Sequence, residues 1–181
     1  MTTDELWIFG YGSLIWNPEF PFVEREIASL SGFQRRFCMS SIHHRGTEAE
    51  PGLVLALDAR KDSRCAGVAF HMHPDDREDH LARLRARELI SSAYVETRQT
   101  LHLADGRVRE GLCYVVDKAH DQYVANQTLA AQARQIAGAV GGRGPNPDYL
   151  HQTAQSLRDL EIFDADLEWL DAEVRRLTEF G

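Results

Sequence analysis

A glycine-rich turn follows the first apolar run of the chain. Residues 6–9 form a compact apolar segment, and Gly10-Tyr11-Gly12-Ser13 comes directly after it. Two glycines around a tyrosine allow backbone N–H groups to converge on a carboxylate, a phosphate or an oxyanion. The dinucleotide fingerprint is excluded because Ile15 replaces its third glycine, and the hydrolase elbow is excluded because Tyr11 replaces its first. A plain tight turn at a strand end remains the alternative, and the residues alone leave both open.

A single carboxylate stands out in the middle of the chain. Glu88 follows Leu81 by seven residues and Leu84 by four, so it continues the apolar face of a predicted helix. Partial burial there raises the pKa of a carboxyl group, and the helix macrodipole disfavours a negative charge so late in the helix. Because partial burial and the helix macrodipole both disfavour a charged carboxylate at this position, its presence there indicates a functional base. The alternatives are that Arg85 or Arg87 pairs with Glu88, or that the helix ends earlier and Glu88 is solvated.

Other polar groups carry less information. The polar cluster at residues 43–47 follows a strand and is either a substrate-contacting loop or an ordinary surface turn. His71 and His73 would share a strand face, but no carboxylate or cysteine at metal spacing accompanies them, so we expect no metal site. Cys38 and Cys113 lie inside strand patterns and are expected in the core.

The elements that must position these groups are strands first and helices later. Strands are predicted at residues 6–9, 37–41, 53–57 and 67–72, and as a hairpin of Tyr94–Leu103 and Val108–Val116 around Asp105-Gly106. One helix is predicted to begin near Pro74, and three more occupy the last third, beginning near Leu129, Pro147 and Asp164. This order predicts an α+β fold with a small curled sheet or barrel.

Composition narrows the class of protein. The chain has 181 residues, 43% of them hydrophobic and 27% charged, which suits a single globular domain over residues 1–181 with the helical third, about 125–181, packed on it. Twenty Lys and Arg against 28 Asp and Glu give a net charge of −8, which argues against nucleic-acid binding. We expect no membrane span and no secretory signal, and the three cysteines form no C-x-x-C, so a cytoplasmic, reduced protein is predicted.

Several segments together resemble the ChaC-type γ-glutamylcyclotransferases. The opening signature is Leu6-Trp7-Ile8-Phe9-Gly10-Tyr11-Gly12-Ser13-Leu14-Ile15-Trp16. The resemblance continues, in the family's order, at Arg35-Arg36-Phe37-Cys38, His44-Arg45-Gly46-Thr47, Pro51-Gly52, Arg87-Glu88, Tyr123-Val124-Ala125, Gly144-Pro145-Asn146, Tyr149-Leu150 and Asp166-Leu167.

The resemblance implies a fold, a reaction and a site. The family has a small mixed β-barrel with flanking helices, and it cleaves glutathione to 5-oxoproline and cysteinylglycine without a metal or organic cofactor. Its essential glutamate matches Glu88, which would act as general acid and base. The expected substrate-binding residues are Gly10, Tyr11, Gly12, Ser13, Leu14, Arg45, Tyr94 and Tyr123. The turn would hold either the oxyanion or the substrate α-carboxylate, and the sequence leaves these two roles open.

The chain departs from the family's pattern next to the glutamate. Family members commonly carry Gly-Gly-Tyr there, whereas this chain has Ser91-Ser92-Ala93-Tyr94 and retains only the tyrosine. His43 also stands where an Asp often precedes the His-Arg-Gly-Thr stretch. The alternatives are therefore a cyclotransferase for another γ-glutamyl compound, a non-catalytic binding protein on the same fold, and a hydrolase that releases glutamate.

Overall fold

The computed structural model describes residues 5–180 of the chain. In chain order its elements are β1 (Trp7–Gly10), α1 (Ser13–Trp16), β2 (Phe22–Ser41), β3 (Gly52–Met72), α2 (Arg77–Glu88), β4 (Tyr94–Leu103), β5 (Val108–Val116), α3 (Leu129–Gly138), β6 (Val140–Gly141), β7 (Gly144–Pro145), α4 (Asn146–Asp159) and α5 (Ala165–Glu179).

Five of these strands close into a barrel of mixed direction. Their order is β1-β3-β2-β4-β5, and β3 also pairs with β5. Strand β1 is antiparallel to β3, with Trp7 opposite His71, and parallel to β5, with Ile8 opposite Leu112. Strands β4 and β5 form the predicted hairpin, whose turn contains Gly106 at φ +92°. The predicted fold class, α+β with a small mixed barrel, is confirmed.

Two of the barrel strands are longer than the sequence pattern predicts. Residues 53–57 and 67–72 belong to one strand, β3, of 21 residues, and residues 37–41 end the 20-residue β2. Residues 59–64 between the two apolar parts of β3 are polar apart from Ala59 and mostly exposed. Backbone pairing continues through them without the apolar alternation on which the prediction depends.

The helices lie where the sequence predicts them, apart from the start of α2 and one additional helical turn. Helix α2 begins at Arg77 and not near Pro74, because Asp76 takes a left-handed conformation with φ +51° and serves as the N-cap residue. Asp164 caps α5 as predicted, and its side chain accepts a hydrogen bond from the Leu167 amide at 3.1 Å. The turn after β1 contains one helical turn, α1, which the sequence pattern did not predict.

The described residues form two compact units, and each has its own core. The first unit consists of the described part of residues 1–35 together with Leu57–Lys118, and the second consists of Arg36–Ala56 with the residues from Ala119 onward. Trp7, Phe9, Phe70 and Tyr114 are among the buried side chains of the first unit. The second unit buries the apolar faces of α3, α4 and α5. The single-domain organisation stays a prediction.

Within residues 5–180, the helices lack the length and apolar character that a membrane span requires.

Candidate active site

The site loop, residues 10–17, leaves the barrel at the end of β1. Gly10 pairs with Val68 on β3, and α1 begins three residues later at Ser13. A Cβ atom on Gly67 would lie 2.3 Å from the Gly10 carbonyl oxygen, so the two backbones can approach this closely only with glycine at position 67. Sequence reasoning did not identify Gly67, because its requirement arises from the neighbouring strand.

Tyr11 fixes the shape of the site loop. Its ring is buried, and its hydroxyl donates a hydrogen bond to the Tyr114 carbonyl oxygen at 2.9 Å. Its own carbonyl oxygen accepts a hydrogen bond from Arg35 Nε at 2.6 Å, and Arg35 also donates to the Ala66 carbonyl oxygen. The tyrosine between the two glycines is therefore anchored in the barrel, and the loop backbone is held at both its side chain and its carbonyl group.

The start of α1 presents backbone donors next to this anchor. Gly12 is the N-cap residue, and the Ile15 amide donates to the Gly12 carbonyl oxygen at 3.0 Å. The amide groups of Ser13 and Leu14 come earlier in the turn and have no partner within the helix, as at any helix N-terminus. The site loop is thus a tight turn that also begins a helix, and its binding of a ligand stays a prediction.

Glu88 is the last residue of α2. The helix buries Leu84 one turn earlier, and the Glu88 side chain is 16% exposed. The helix therefore does not end before Glu88, and the carboxylate is not fully solvated.

Arg87 connects Glu88 to the site loop. Its Nε lies 3.2 Å from Glu88 Oε1, and its Nη2 donates a hydrogen bond to Ser13 Oγ at 2.9 Å. Its Nη1 donates to the Asn17 carbonyl oxygen at 2.6 Å and lies 3.1 Å from Glu19 Oε2. The ion pair that the sequence analysis held open as an alternative is present, with Arg87 as the partner.

A second arginine attaches the same turn of α2 to the barrel wall. Arg85 donates two hydrogen bonds to the Glu96 carboxylate, at 2.8 and 2.7 Å, and the Tyr114 hydroxyl donates a third at 3.0 Å. The hydrogen bonds from Arg85 hold the pKa of the Glu96 carboxyl below its ordinary value. Burial raises the pKa of Tyr114, and the carboxylates of Glu96 and Glu88 raise it further, so the hydroxyl stays protonated.

Tyr94 follows the glutamate in the same unit. It opens β4 opposite Val116, and its side chain is half-buried. Ser92, in the stretch where family members commonly carry Gly-Gly, has φ +58° in the left-handed region. The backbone conformation for which glycine is best suited is therefore kept here without a glycine.

The other two predicted binding residues, Arg45 and Tyr123, belong to the second unit. Arg45 is buried, donates to the Pro145 carbonyl oxygen at 3.0 Å and lies 5.8 Å from the centre of the Tyr149 ring. Tyr123 forms an isolated bridge with Met39 on β2. Their substrate contacts stay predictions, as do those of the site loop and Tyr94.

Metal-binding clusters and reactive thiols are two further ways in which residues 5–180 could take part in chemistry. This part of the chain contains no cluster of three or more His, Cys, Asp or Glu side chains arranged to hold a metal ion. Cys38, Cys65 and Cys113 are free thiols and are buried. Burial raises the pKa of the Cys113 thiol to about 12, so it stays protonated at neutral pH.

Comparison with known proteins identifies relatives along nearly the whole chain. A glutathione-specific γ-glutamylcyclotransferase of Escherichia coli is 37% identical over 172 residues, which cover 95% of this chain and 74% of the relative. One of Schizosaccharomyces pombe is 33% identical over 189 residues, which cover 94% and 93%. A crystal structure of a yeast γ-glutamylcyclotransferase specific to glutathione superposes with a TM-score of 0.89 at 24% identity over 99% of both chains, which shows the same fold. Residues 6–177 match the ChaC-like protein family, and the chain therefore belongs to that family.

Proposed function

We propose that this protein is a γ-glutamylcyclotransferase that cleaves glutathione to 5-oxoproline and cysteinylglycine, with Glu88 as general acid and base. The observation that supports it best is the placement of Glu88, which is joined through one guanidinium to the loop that follows β1. Relatives at 37% and 33% identity that carry this activity in their names support the choice of substrate.

The reaction is an exchange of one amide bond for another. The α-amino nitrogen of the γ-glutamyl group attacks its own side-chain carbonyl carbon, a C–N bond forms within a five-membered ring, and the bond to the cysteine nitrogen breaks. Nucleophile and electrophile share one molecule, so the protein mainly has to hold the folded conformer. No electrons are transferred, and we expect no cofactor to take part.

Proton transfer is the remaining requirement. The α-amino group gives up two protons between ammonium and lactam N–H, and the departing nitrogen gains two between amide and ammonium. A carboxylate that accepts each proton from the first nitrogen and returns it to the second balances the reaction. Glu88 would perform this transfer. General acid–base catalysis of this kind raises the reaction rate by about 10²–10⁴-fold.

The site loop supplies a place for negative charge. The amide groups of Ser13 and Leu14 open α1 and can donate to the carbonyl oxygen as it becomes an oxyanion. The same donors suit the α-carboxylate of the γ-glutamyl group. Arg45 is proposed to bind a substrate carboxylate, and Tyr123 is proposed as a further substrate-binding residue. We expect the protein to work in the cytoplasm, where glutathione and thiols are kept reduced.

The first test is product analysis. Purified protein incubated with glutathione should yield 5-oxoproline and cysteinylglycine in equal amounts by mass spectrometry, and Glu88→Gln should lower kcat by about 10²–10⁴-fold while the protein stays folded. Glu78→Gln is the matched control, because Glu78 is an exposed glutamate in the first turn of the same helix. Substantial turnover by a folded Glu88→Gln protein would refute the role of Glu88.

A cyclotransferase for another γ-glutamyl compound is the alternative that a specific observation favours. The stretch Ser91-Ser92-Ala93, in which the family's two glycines are replaced, begins three residues after Glu88. If glutathione binds without products, a panel of other γ-glutamyl amines and γ-glutamyl amino acids should identify the substrate by release of 5-oxoproline. Release of free glutamate instead would indicate a hydrolase.

A further inference from the structure

We propose that Arg87 is a positioning residue that sets the direction of the Glu88 carboxylate relative to the site loop. The proposal rests on the proposed function of Glu88 and adds a second requirement to it. Arg87 would not touch the substrate but would act through the glutamate and through Ser13.

The partners of the Arg87 guanidinium include Glu88, Ser13, Asn17 and Glu19 Oε2, the last at 3.1 Å from Nη1. Its guanidinium is an ion-pair partner of Glu88 at 3.2 Å, a donor to Ser13 Oγ at 2.9 Å and a donor to the Asn17 carbonyl oxygen at 2.6 Å. The side chain is only 8% exposed, although it carries a full charge. A planar guanidinium with five N–H donors can serve these partners together, whereas the compact ammonium of lysine cannot.

The pairing of Arg87 with Glu88 is unusual for a helix. Helical ion pairs join residues three or four apart, because adjacent side chains point in different directions around the axis. Glu88 occupies the last position of α2, and the long Arg87 side chain brings Nε to 3.2 Å from Glu88 Oε1 although the two residues are adjacent. Since Arg87 is itself held by the site loop, the ion pair turns the carboxylate toward that loop.

Apolar packing contributes little to the placement of this helix. Within α2, all of whose residues are described, Leu84 is the one buried residue. The position of its last turn therefore depends on polar contacts, and those of Arg87 include a direct ion pair with Glu88. A shift of about 1 Å in a catalytic group costs about 10²-fold in rate, so the loss of these contacts should be visible in kcat.

The experiment compares Arg87→Ala and Arg87→Lys with Arg83→Ala. Arg83 lies one helical turn earlier on α2 and is exposed, so it matches the change in charge and helix propensity. We expect kcat for glutathione to fall by about 10²-fold in both Arg87 variants, with a smaller change in KM, and to stay within about threefold of wild type in Arg83→Ala. Thermal melting and near-ultraviolet circular dichroism report whether each variant is folded.

Chemical rescue separates positioning from a merely structural role. Methylguanidinium added to Arg87→Ala should restore part of kcat, because it can occupy the vacated space and pair with Glu88 again. A loss of kcat that methylguanidinium does not restore would overturn the proposal, and so would unchanged kcat in both Arg87 variants. If the wild-type protein itself released no 5-oxoproline, the proposed function would fail, and that outcome is distinct from both.

Discussion

Ser92 has a strained backbone conformation near the candidate active site, in a stretch where the family commonly has glycine. Its φ of +58° lies in the left-handed region, which costs an L-residue about 1–2 kcal/mol. Ser92→Gly should therefore raise the free energy of unfolding by about 0.5–1 kcal/mol, after the extra entropy of a glycine in the unfolded chain is subtracted. The measurement is urea denaturation of the two proteins.

Ser91 provides the matched control for this prediction. It has the same side chain and the neighbouring position, but its φ is not positive. Ser91→Gly should lower the free energy of unfolding by about 0.5–1 kcal/mol, because a glycine there adds only disorder to the unfolded chain. Equal effects of the two substitutions would show that the conformation of Ser92 stores no strain.

The spacing of apolar residues in the sequence singled out Glu88 as a candidate, but it did not predict the side chains that contact Glu88 and Arg87. Two leucines at helical spacing predicted the face on which the glutamate lies, and the structure shows it as the half-buried last residue of α2. The contacts of Arg87 with Ser13 and Asn17 join residues more than 65 positions apart. Such contacts depend on the path of the barrel strands, which no local pattern encodes.

Among the elements, the β1–β3 contact limits what position 67 can hold. A Cβ on Gly67 would lie 2.3 Å from the Gly10 carbonyl oxygen and 2.9 Å from Phe9 Cζ, and the carbonyl group belongs to a backbone that cannot move freely. Gly67→Ala should lower the free energy of unfolding by about 1–3 kcal/mol or more, as overpacking does. Equilibrium denaturation in urea measures it.

Gly138 is the control for this substitution. It is the last residue of α3, and a Cβ there would meet nothing within 4 Å. Gly138→Ala should leave stability unchanged or raise it by up to about 1 kcal/mol, because alanine is the better helix former. If both glycines tolerated alanine equally, close approach of β3 to the site loop would not be what requires glycine at position 67.

Element prediction worked where the apolar pattern was regular. The hairpin of β4 and β5 has its predicted bounds, and the last three helices begin close to their predicted positions, because alternation, helical stripes and capping residues mark them. The pattern divided β3 into two strands, because its exposed middle section is polar. Backbone pairing does not require apolar side chains, so composition cannot show that such a strand continues.

For the whole molecule, the ordered set of sequence segments identifies the family, whereas only the distances in the structure show which groups contact one another. The resemblance extends from Leu6 to Leu167, and the family match covers residues 6–177. Order along the chain identifies a family even where single motifs are short. The order of segments does not reveal which charged side chains form ion pairs in the folded protein. Those ion pairs determine how the stability of the protein depends on pH.

Several carboxylates have pKa values held below their ordinary range by arginine partners. They are Glu24, Glu96, Asp105, Asp171 and Glu173. A carboxyl group with a lowered pKa in the folded state binds fewer protons there than in the unfolded chain. Its contribution to stability is fully present above the unfolded pKa, about 3.9–4.3, and is lost as pH falls through the folded pKa. Acid should therefore destabilise the protein steeply below about pH 4.

Asp171 allows this prediction to be tested at one residue. Its burial opposes ionisation, but hydrogen bonds from Arg158, His151 and Arg175 outweigh that effect and hold the pKa of its carboxyl low. Asp171→Asn should lower the free energy of unfolding by about 1.5–3 kcal/mol at neutral pH, the usual worth of hydrogen bonds to a charged group. The difference from wild type should shrink as pH falls through the lowered pKa of Asp171, because the wild-type carboxylate then becomes protonated and loses its charge-assisted hydrogen bonds. Urea denaturation across this range measures it, with Glu78→Gln as the control that should follow the wild-type slope. A difference that stayed constant with pH would mean that the charge of Asp171 contributes nothing, and that its packing alone stabilises the contact between α4 and α5.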